Sequence, residues 1–185
     1  MNVKRITQLA LLTTIALIIF IIELRIPNLV PIPGVKLGLA NIVTVYAMYH
    51  CTAKETMLVV FARILLGSIF GGNISAIFYS LGGAILCLAG MLLLRRVIDE
   101  KYIWICSILG AVLHNIGQIA VAVVMMRTTA VISYLPFLMV SGCIAGAFTG
   151  ICAQILLARL KFTNNSGKAD ISHGSDFIQN KNSSM

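Results

Sequence analysis

Seven polar side chains interrupt an otherwise apolar sequence and are candidates for binding a small molecule. They are Lys36, Asn41, Arg63, Asn73, His114, Asn115 and Gln118. Lys36 and Asn41 belong to the stretch IPGVKLGLANIVTVY over residues 32–46, where a segment rich in Pro and Gly runs directly into an apolar helix. A cation and an amide at such a boundary predict the rim and wall of a pocket. Lys36 and Arg63, if both face the pocket, favour an anionic or carbonyl-rich ligand.

Arg63 lies inside the apolar segment FARILLGSIFGGN. An arginine at the centre of a membrane helix costs roughly 2.5–3.5 kcal/mol even on the most permissive insertion scale. The sequence therefore predicts that Arg63 faces the protein interior and has a partner there. The alternative is a side chain that extends towards the nearer membrane surface, because Lys54 precedes it by only nine positions. Gly71, Gly72 and Asn73 then predict a tight turn.

The fifth apolar segment, AVLHNIGQIAVAVV, carries the remaining three polar candidates. His114 and Gln118 are one helical turn apart, and Asn115 lies three residues before Gln118, so all three share one broad helix face. Three polar residues on one face of an apolar helix indicate the lining of a pocket. The alternative is hydrogen bonding between neighbouring helices.

Clustered carboxylates and nucleotide-binding loops do not occur in this sequence. The acidic residues are scattered over separate segments: Glu23, Glu55, Asp99, Glu100, Asp170 and Asp176. There is no DDxxD motif to hold the magnesium that a diphosphate substrate needs, and no G-x-x-x-x-G-K-[ST] loop to bind ATP phosphates. Binding or transport is therefore better supported than catalysis by this chain alone, and neither a metal nor a cofactor is expected.

The composition is that of an integral membrane protein. The 185 residues are 59% hydrophobic and only 11% charged, and the mean hydropathy is +0.97, which is too apolar for a soluble domain of this length. The formal charge of +8 does not indicate nucleic-acid binding, because Lys and Arg flank the apolar runs and aromatic residues do not alternate with them. The five cysteines show no CxxC pairing and are expected to be reduced core residues.

Six apolar runs predict the helices that position these residues: 6–24, 37–51, 55–70, 74–94, 103–126 and 131–158. The second is short for a membrane span of about 20 residues, so a re-entrant segment with five crossings is the alternative. With six spans and a cytoplasmic N-terminus, most Lys and Arg residues between the helices lie on the cytoplasmic side of the membrane. With five spans, most of them lie on the outer side, against the usual distribution. We therefore predict an all-α integral membrane bundle of six transmembrane helices over residues 1–161.

The same topology places both termini in the cytoplasm. The polar segment over residues 162–185, rich in Ser, Asn and Gly, is predicted to be a disordered cytoplasmic tail. Because the six-helix chain shows no organellar targeting signal, we expect a multi-pass protein of the bacterial cell (inner) membrane.

The connection from Glu23 to Lys36 contains Pro27, Pro31 and Pro33, which oppose a continuous helix. With its apolar side chains it is either a lid over the pocket or a plain connector.

Small residues recur at four-residue spacing on two helices. Gly142, Gly146 and Gly150 follow one face of the last helix, and Ala10 and Thr14 form a weaker pair on the first. Such rows permit the close approach of another helix. That helix belongs either to the same bundle or to a partner protein, so both sets are candidates for a partner interface.

Three motifs, in this order, resemble those of a known family: PGVKLGLANIVTV, RILLGSIFGGN and HNIGQ. Over residues 6–160 the chain resembles the Gx transporter family, often labelled heptaprenyl diphosphate synthase component I, which is grouped with the S components of energy-coupling factor (ECF) vitamin transporters. The resemblance implies an S-component-like bundle that binds a small molecule from the outer side. A separate transmembrane subunit and two cytoplasmic ATPases would then supply the driving force.

The resemblance also implies two kinds of protein partner. S components often contact the transmembrane subunit through an AxxxA-like patch on the first helix; Ala10 fits this pattern, whereas Thr14 departs from alanine. The synthase label implies instead that the protein is an accessory membrane component of menaquinone side-chain synthesis. It would then work beside a soluble prenyl synthase.

Overall fold

A computed structural model describes residues 2–25, 41–72 and 74–182, and the side chains of its last helix as far as Leu160. Within these ranges the chain is all-helical, as predicted, and has no strand. The six α-helices are α1 (Val3–Arg25), α2 (Asn41–His50), α3 (Ala53–Phe70), α4 (Ala76–Leu94), α5 (Ile103–Met126) and α6 (Leu135–Asn182). Short 3-10 segments, Glu100–Tyr102 and Ala130–Tyr134, lead into α5 and α6.

Among the described residues, four helical segments are long and apolar enough to cross a bilayer: Val3–Glu23, Ala76–Leu94, Ile103–Met126 and Ala130–Leu160. α2 has only 10 residues, and α3 carries Lys54, Glu55 and Arg63 within its 18 residues, so neither has the length and composition of an ordinary span. The six predicted helices are therefore present in the described ranges. A membrane crossing by all six, and the orientation of the termini, stay predictions.

Glycines allow α4 and α5 to pack backbone against backbone. A Cβ atom at Gly117 of α5 would lie 2.9 Å from Gly83 Cα of α4, closer than folded proteins tolerate. A Cβ atom at Gly83 would lie 2.9 Å from His114 Nδ1 and 2.8 Å from Gln118 Cγ. The missing side chains therefore bring the two helices close together and seat two polar side chains of α5 directly on α4.

The glycine row of α6 packs against α5 of the same chain. A Cβ atom at Gly146 would lie 2.8 Å from Ile108 Cα, and one at Gly150 would lie 2.6 Å from Trp104 Cα. Gly142 lies against α5 in the same way. The row thus serves close packing within the bundle, which is the first of the two alternatives left open by the sequence.

The start of α3 is fixed by a capping box and an ion pair. Thr52 and Glu55 bond reciprocally to each other's backbone N–H groups, and Glu55 also accepts two hydrogen bonds from Arg5 of α1, at 2.7 and 2.8 Å. Near the end of α2, the Met48 carbonyl accepts a hydrogen bond from Nη1 of Arg95, which follows α4. The corner between α2 and α3 is therefore tied to α1, and α2 is tied to the end of α4.

The chain divides into two compact units, residues 1–154 and residues 155–185. The first contains α1 to α5 and the beginning of α6, and the second contains the rest of α6. The backbone of α6 is helical as far as Asn182, and no proline interrupts it after residue 161. The disordered tail proposed for residues 162–185 stays a prediction.

Two of the expected features lie outside the described residues. The segment 26–40 contains Lys36 and the proposed lid, and residue 73 is Asn73 of the proposed turn. Gly72, which precedes it, has a φ of +67°, a left-handed conformation that glycine adopts without steric cost.

Arg127 ends α5 in the left-handed conformation, with φ 49° and ψ 34°. This conformation costs a residue with a Cβ atom about 1–2 kcal/mol, and glycine avoids most of that cost. We expect Arg127→Gly to raise the free energy of unfolding in detergent by up to about 1 kcal/mol. Arg127→Ala, which removes the charge but keeps the Cβ atom, is the control. Equal stabilisation by both variants would assign the effect to the charge instead.

Candidate functional site

Arg63 lies in the middle of α3 and is hydrogen-bonded to α2. Its Nη1 donates to Asn41 Oδ1 at 3.3 Å, and its charge interacts favourably with the Glu23 carboxylate of α1. Glu23 is only 6% exposed, so a buried carboxylate accompanies the guanidinium. The prediction that Arg63 faces the interior and has a partner there is confirmed, and Asn41 is that partner.

His114 of α5 joins this group, because the charge of Arg63 acts on its imidazole. We call Glu23, Asn41, Arg63 and His114 the Arg63 cluster. Its members come from α1, α2, α3 and α5. The hydrogen bond between Arg63 and Asn41 joins α3 to α2, and Glu23 and His114 bring side chains of α1 and α5 within range of the Arg63 charge.

A cavity of about 40 Å³ lies beside the cluster, between α2, α4, α5 and α6. Its polar lining consists of Asn41, Thr44, Ser107 and Thr149, together with Cys87. Its apolar lining includes Val45, Met91, Ala111 and Ala145. Pockets for whole drug-sized ligands are roughly 300–1,000 Å³, so this cavity holds a few water molecules or one polar group of a ligand.

Two hydroxyl groups, from α5 and α6, contact each other at the lining of the cavity. Ser107 Oγ of α5 lies 3.2 Å from Thr149 Oγ1 of α6, and Thr149 Oγ1 donates to the Gly146 carbonyl at 3.2 Å. Both residues are buried, with exposed fractions of 4% and 2%. Either hydroxyl can donate in the contact between them. When Thr149 donates to the Gly146 carbonyl, it is Ser107 that donates to Thr149.

The polar face of α5 is divided between two neighbouring helices. His114 and Gln118 lie against Gly83 of α4. Asn115 turns towards α6, where its Nδ2 donates to the Leu138 carbonyl. The structure thus brings His114 and Gln118 together and gives Asn115 the interhelical hydrogen bond that was the alternative for this face.

Replacing Asn115 with alanine is expected to lower the free energy of unfolding by about 1 kcal/mol, the usual size of an interhelical hydrogen bond in membrane proteins. Unfolding in mixed detergent micelles measures the loss. Ser133→Ala, at an exposed position before α6, is the control and is expected to leave stability unchanged. Equal stability of the two variants would mean that the bond to Leu138 contributes nothing.

Ala10 and Thr14 lie on an exposed face of α1. The Thr14 hydroxyl donates to the Ala10 carbonyl at 2.9 Å, so its polar group is satisfied within the helix. The face presented by this pair is therefore small and largely apolar.

Glu23, Ser107 and Thr149 were not among the residues that the sequence singled out for the site. Glu23 comes just before a basic residue and a proline-rich connection, so it looks like a helix boundary. One signal could have identified Glu23: a buried Arg63 needs a negative partner, and Glu23 is the only acidic residue in the first apolar run, over residues 6–24. Isolated Ser and Thr residues in apolar helices carry no such signal.

Comparisons with known proteins give one match. The family described as heptaprenyl diphosphate synthase component I matches residues 12–156. No curated protein and no solved structure matches the chain. Since the matched region covers most of the 185 residues, the chain belongs to the heptaprenyl diphosphate synthase component I family.

Proposed function

We propose that this protein binds a small molecule within the membrane, as the substrate-binding S component of an ECF-like transporter of the Gx type. The Arg63 cluster carries the proposal, because it buries charged and polar side chains next to a cavity. Ionisable residues are costly inside membrane helices, and they usually mark substrate or ion pathways. A ligand at this cluster would touch side chains from most of the bundle.

Asn41 is the residue of the cluster that also lines the cavity. We assign it a direct ligand contact and give Arg63 the task of orienting the Asn41 amide. His114 and Gln118 support the cluster from α5, while Lys36 and Asn73 belong to the proposed contact set on the evidence of the sequence alone. Because the cavity is small, the bulk of the ligand would lie outside it.

The proposal includes energising partners. An S component depends on a transmembrane subunit and on ATPases, and this sequence contains no phosphate-binding loop of its own. Ala10 and Thr14 are exposed on α1, where small side chains permit close helix contact. We assign them to the contact with the transmembrane subunit.

A second candidate function follows from the family description. The protein would then be an accessory membrane component of heptaprenyl diphosphate synthesis that holds a soluble prenyl synthase at the bilayer. The corner after α4 supports this alternative, since Arg95, Arg96, Asp99 and Lys101 are exposed there.

Native mass spectrometry of the detergent-solubilised protein tests both functions. We expect a retained small molecule that is lost from Asn41→Ala and kept by the control Ser133→Ala. A stable complex with a soluble prenyl synthase, and no retained small molecule, would contradict the binding function and favour the accessory one.

A further inference from the structure

We propose that the cavity beside the Arg63 cluster binds an uncharged hydroxyl group carried by an apolar ligand. This inference rests on the proposed small-molecule binding and names the chemical class of the ligand. Its specificity depends on Asn41 on one wall and on Ser107, held by Thr149, on the other.

The polar groups described at the cavity wall include no charged side chain. They are the Asn41 amide, three hydroxyls and the Cys87 thiol. The nearby Arg63 donates to Asn41, and the buried Glu23 carboxylate is near enough to attract its charge. A phosphate or diphosphate head in this cavity would lie against a wall to which the described residues contribute no cation. Burial of an uncompensated charge is strongly unfavourable.

The hydrogen-bonding groups on the two walls are complementary to a hydroxyl. Asn41 Oδ1 accepts from Arg63, and the Nδ2 group of the same amide can donate to a ligand. The Ser107 and Thr149 hydroxyls contact each other, and when Thr149 donates to the Gly146 carbonyl, Ser107 donates to Thr149 and its Oγ lone pairs are left to accept from a ligand. A hydroxyl both accepts and donates, and thus satisfies both walls at once. An ether satisfies only the Asn41 side.

The remaining surface favours an apolar body next to that hydroxyl. Val45, Met91 and Ala111 complete the wall of the cavity. A volume of about 40 Å³ suits a terminal alcohol group better than a branched polar head with several hydrogen-bonding atoms.

Three probes with the same carbon chain separate these possibilities: isoamyl alcohol, isoamyl methyl ether and isoamyl phosphate. Binding is measured by saturation-transfer NMR on the full chain in lipid nanodiscs. We expect the alcohol to bind roughly tenfold more tightly than the other two, because the ether leaves Ser107 without a donor and the phosphate carries a charge. Ser107→Ala should bring the alcohol and the ether to similar affinity.

Thr149→Ser keeps the hydroxyl that orients Ser107 and should retain the preference for the alcohol. Ser133→Ala, which lies away from the cavity lining, is the control. Equal binding of alcohol and ether, or tighter binding of the phosphate, would overturn the hydroxyl assignment and leave small-molecule binding intact. A retained native ligand without a hydroxyl would overturn it in the same way. If no probe binds and the purified protein retains no small molecule, both the inference and the proposed function fail.

Discussion

Replacing Arg63 with methionine is expected to lower the free energy of unfolding by roughly 1.5–3 kcal/mol, the range for a hydrogen bond to a charged group. The substitution keeps an unbranched side chain but removes the hydrogen bond to Asn41 and the charge that accompanies Glu23. The Glu23 carboxylate, which is 6% exposed, would stay in the bundle without this cation. Reversible unfolding in mixed micelles, followed by circular dichroism, measures the loss.

Arg96→Met is the matched control, because Arg96 is exposed beyond the end of α4 and its replacement should change stability by less than about 0.5 kcal/mol. Adding Glu23→Gln to Arg63→Met should recover part of the loss, since an amide does not need a cation nearby. If Arg63→Met is as stable as the native protein, the cluster does not hold a buried charge pair.

Replacing Gly117 with leucine is expected to separate α4 from α5 and to leave little folded protein. A Cβ atom at this position would lie 2.9 Å from Gly83 Cα and 3.0 Å from the Gly82 carbonyl carbon. Both neighbours are backbone atoms, so no side-chain rotation relieves the contact. Overpacking in a core that can adjust costs about 1–3 kcal/mol, and a backbone clash is expected to exceed that range.

The measurement is the fraction of protein that elutes as a single species in size-exclusion chromatography, together with its thermal midpoint. Ala120→Leu adds the same side chain to an exposed position on α5 and should behave as the native protein does. Similar profiles for the two variants would show that the close packing of α4 on α5 does not support the fold.

The sequence predicted the helices and the need for a partner at Arg63, because both follow from the cost of polar groups in an apolar medium. It could not predict how the polar face of α5 is divided. His114 and Asn115 are adjacent in the sequence, and one residue rotates a helix side chain by about 100°. When helices pack on both sides of α5, adjacent residues meet different partners.

The wall made by Ser107 and Thr149 was also beyond prediction. These hydroxyls are 42 positions apart, and their contact depends on the crossing of α5 and α6 at a row of glycines. The sequence identified that row, yet spacing alone did not tell which helix it would meet. Close approach at Gly146 and Gly150 brings α6 against α5, and the hydroxyl pair follows from it.

The hydrogen bonds that tie α2 to its neighbours are expected to slow the movement of this helix, and one of them runs from Thr56 Oγ1 of α3 to the Ala47 carbonyl. α2 is also bonded to Arg63 through Asn41 and to Arg95 through Met48, two positions about 10 Å apart along the helix. If the proposed ligand enters the cavity between α2 and its neighbours, it is expected to wait until one of these bonds opens. Water competes readily for the exposed Arg95, and less so for the more buried Arg63. The Arg63 end of α2 is therefore expected to set the residence time of the ligand, independently of its affinity.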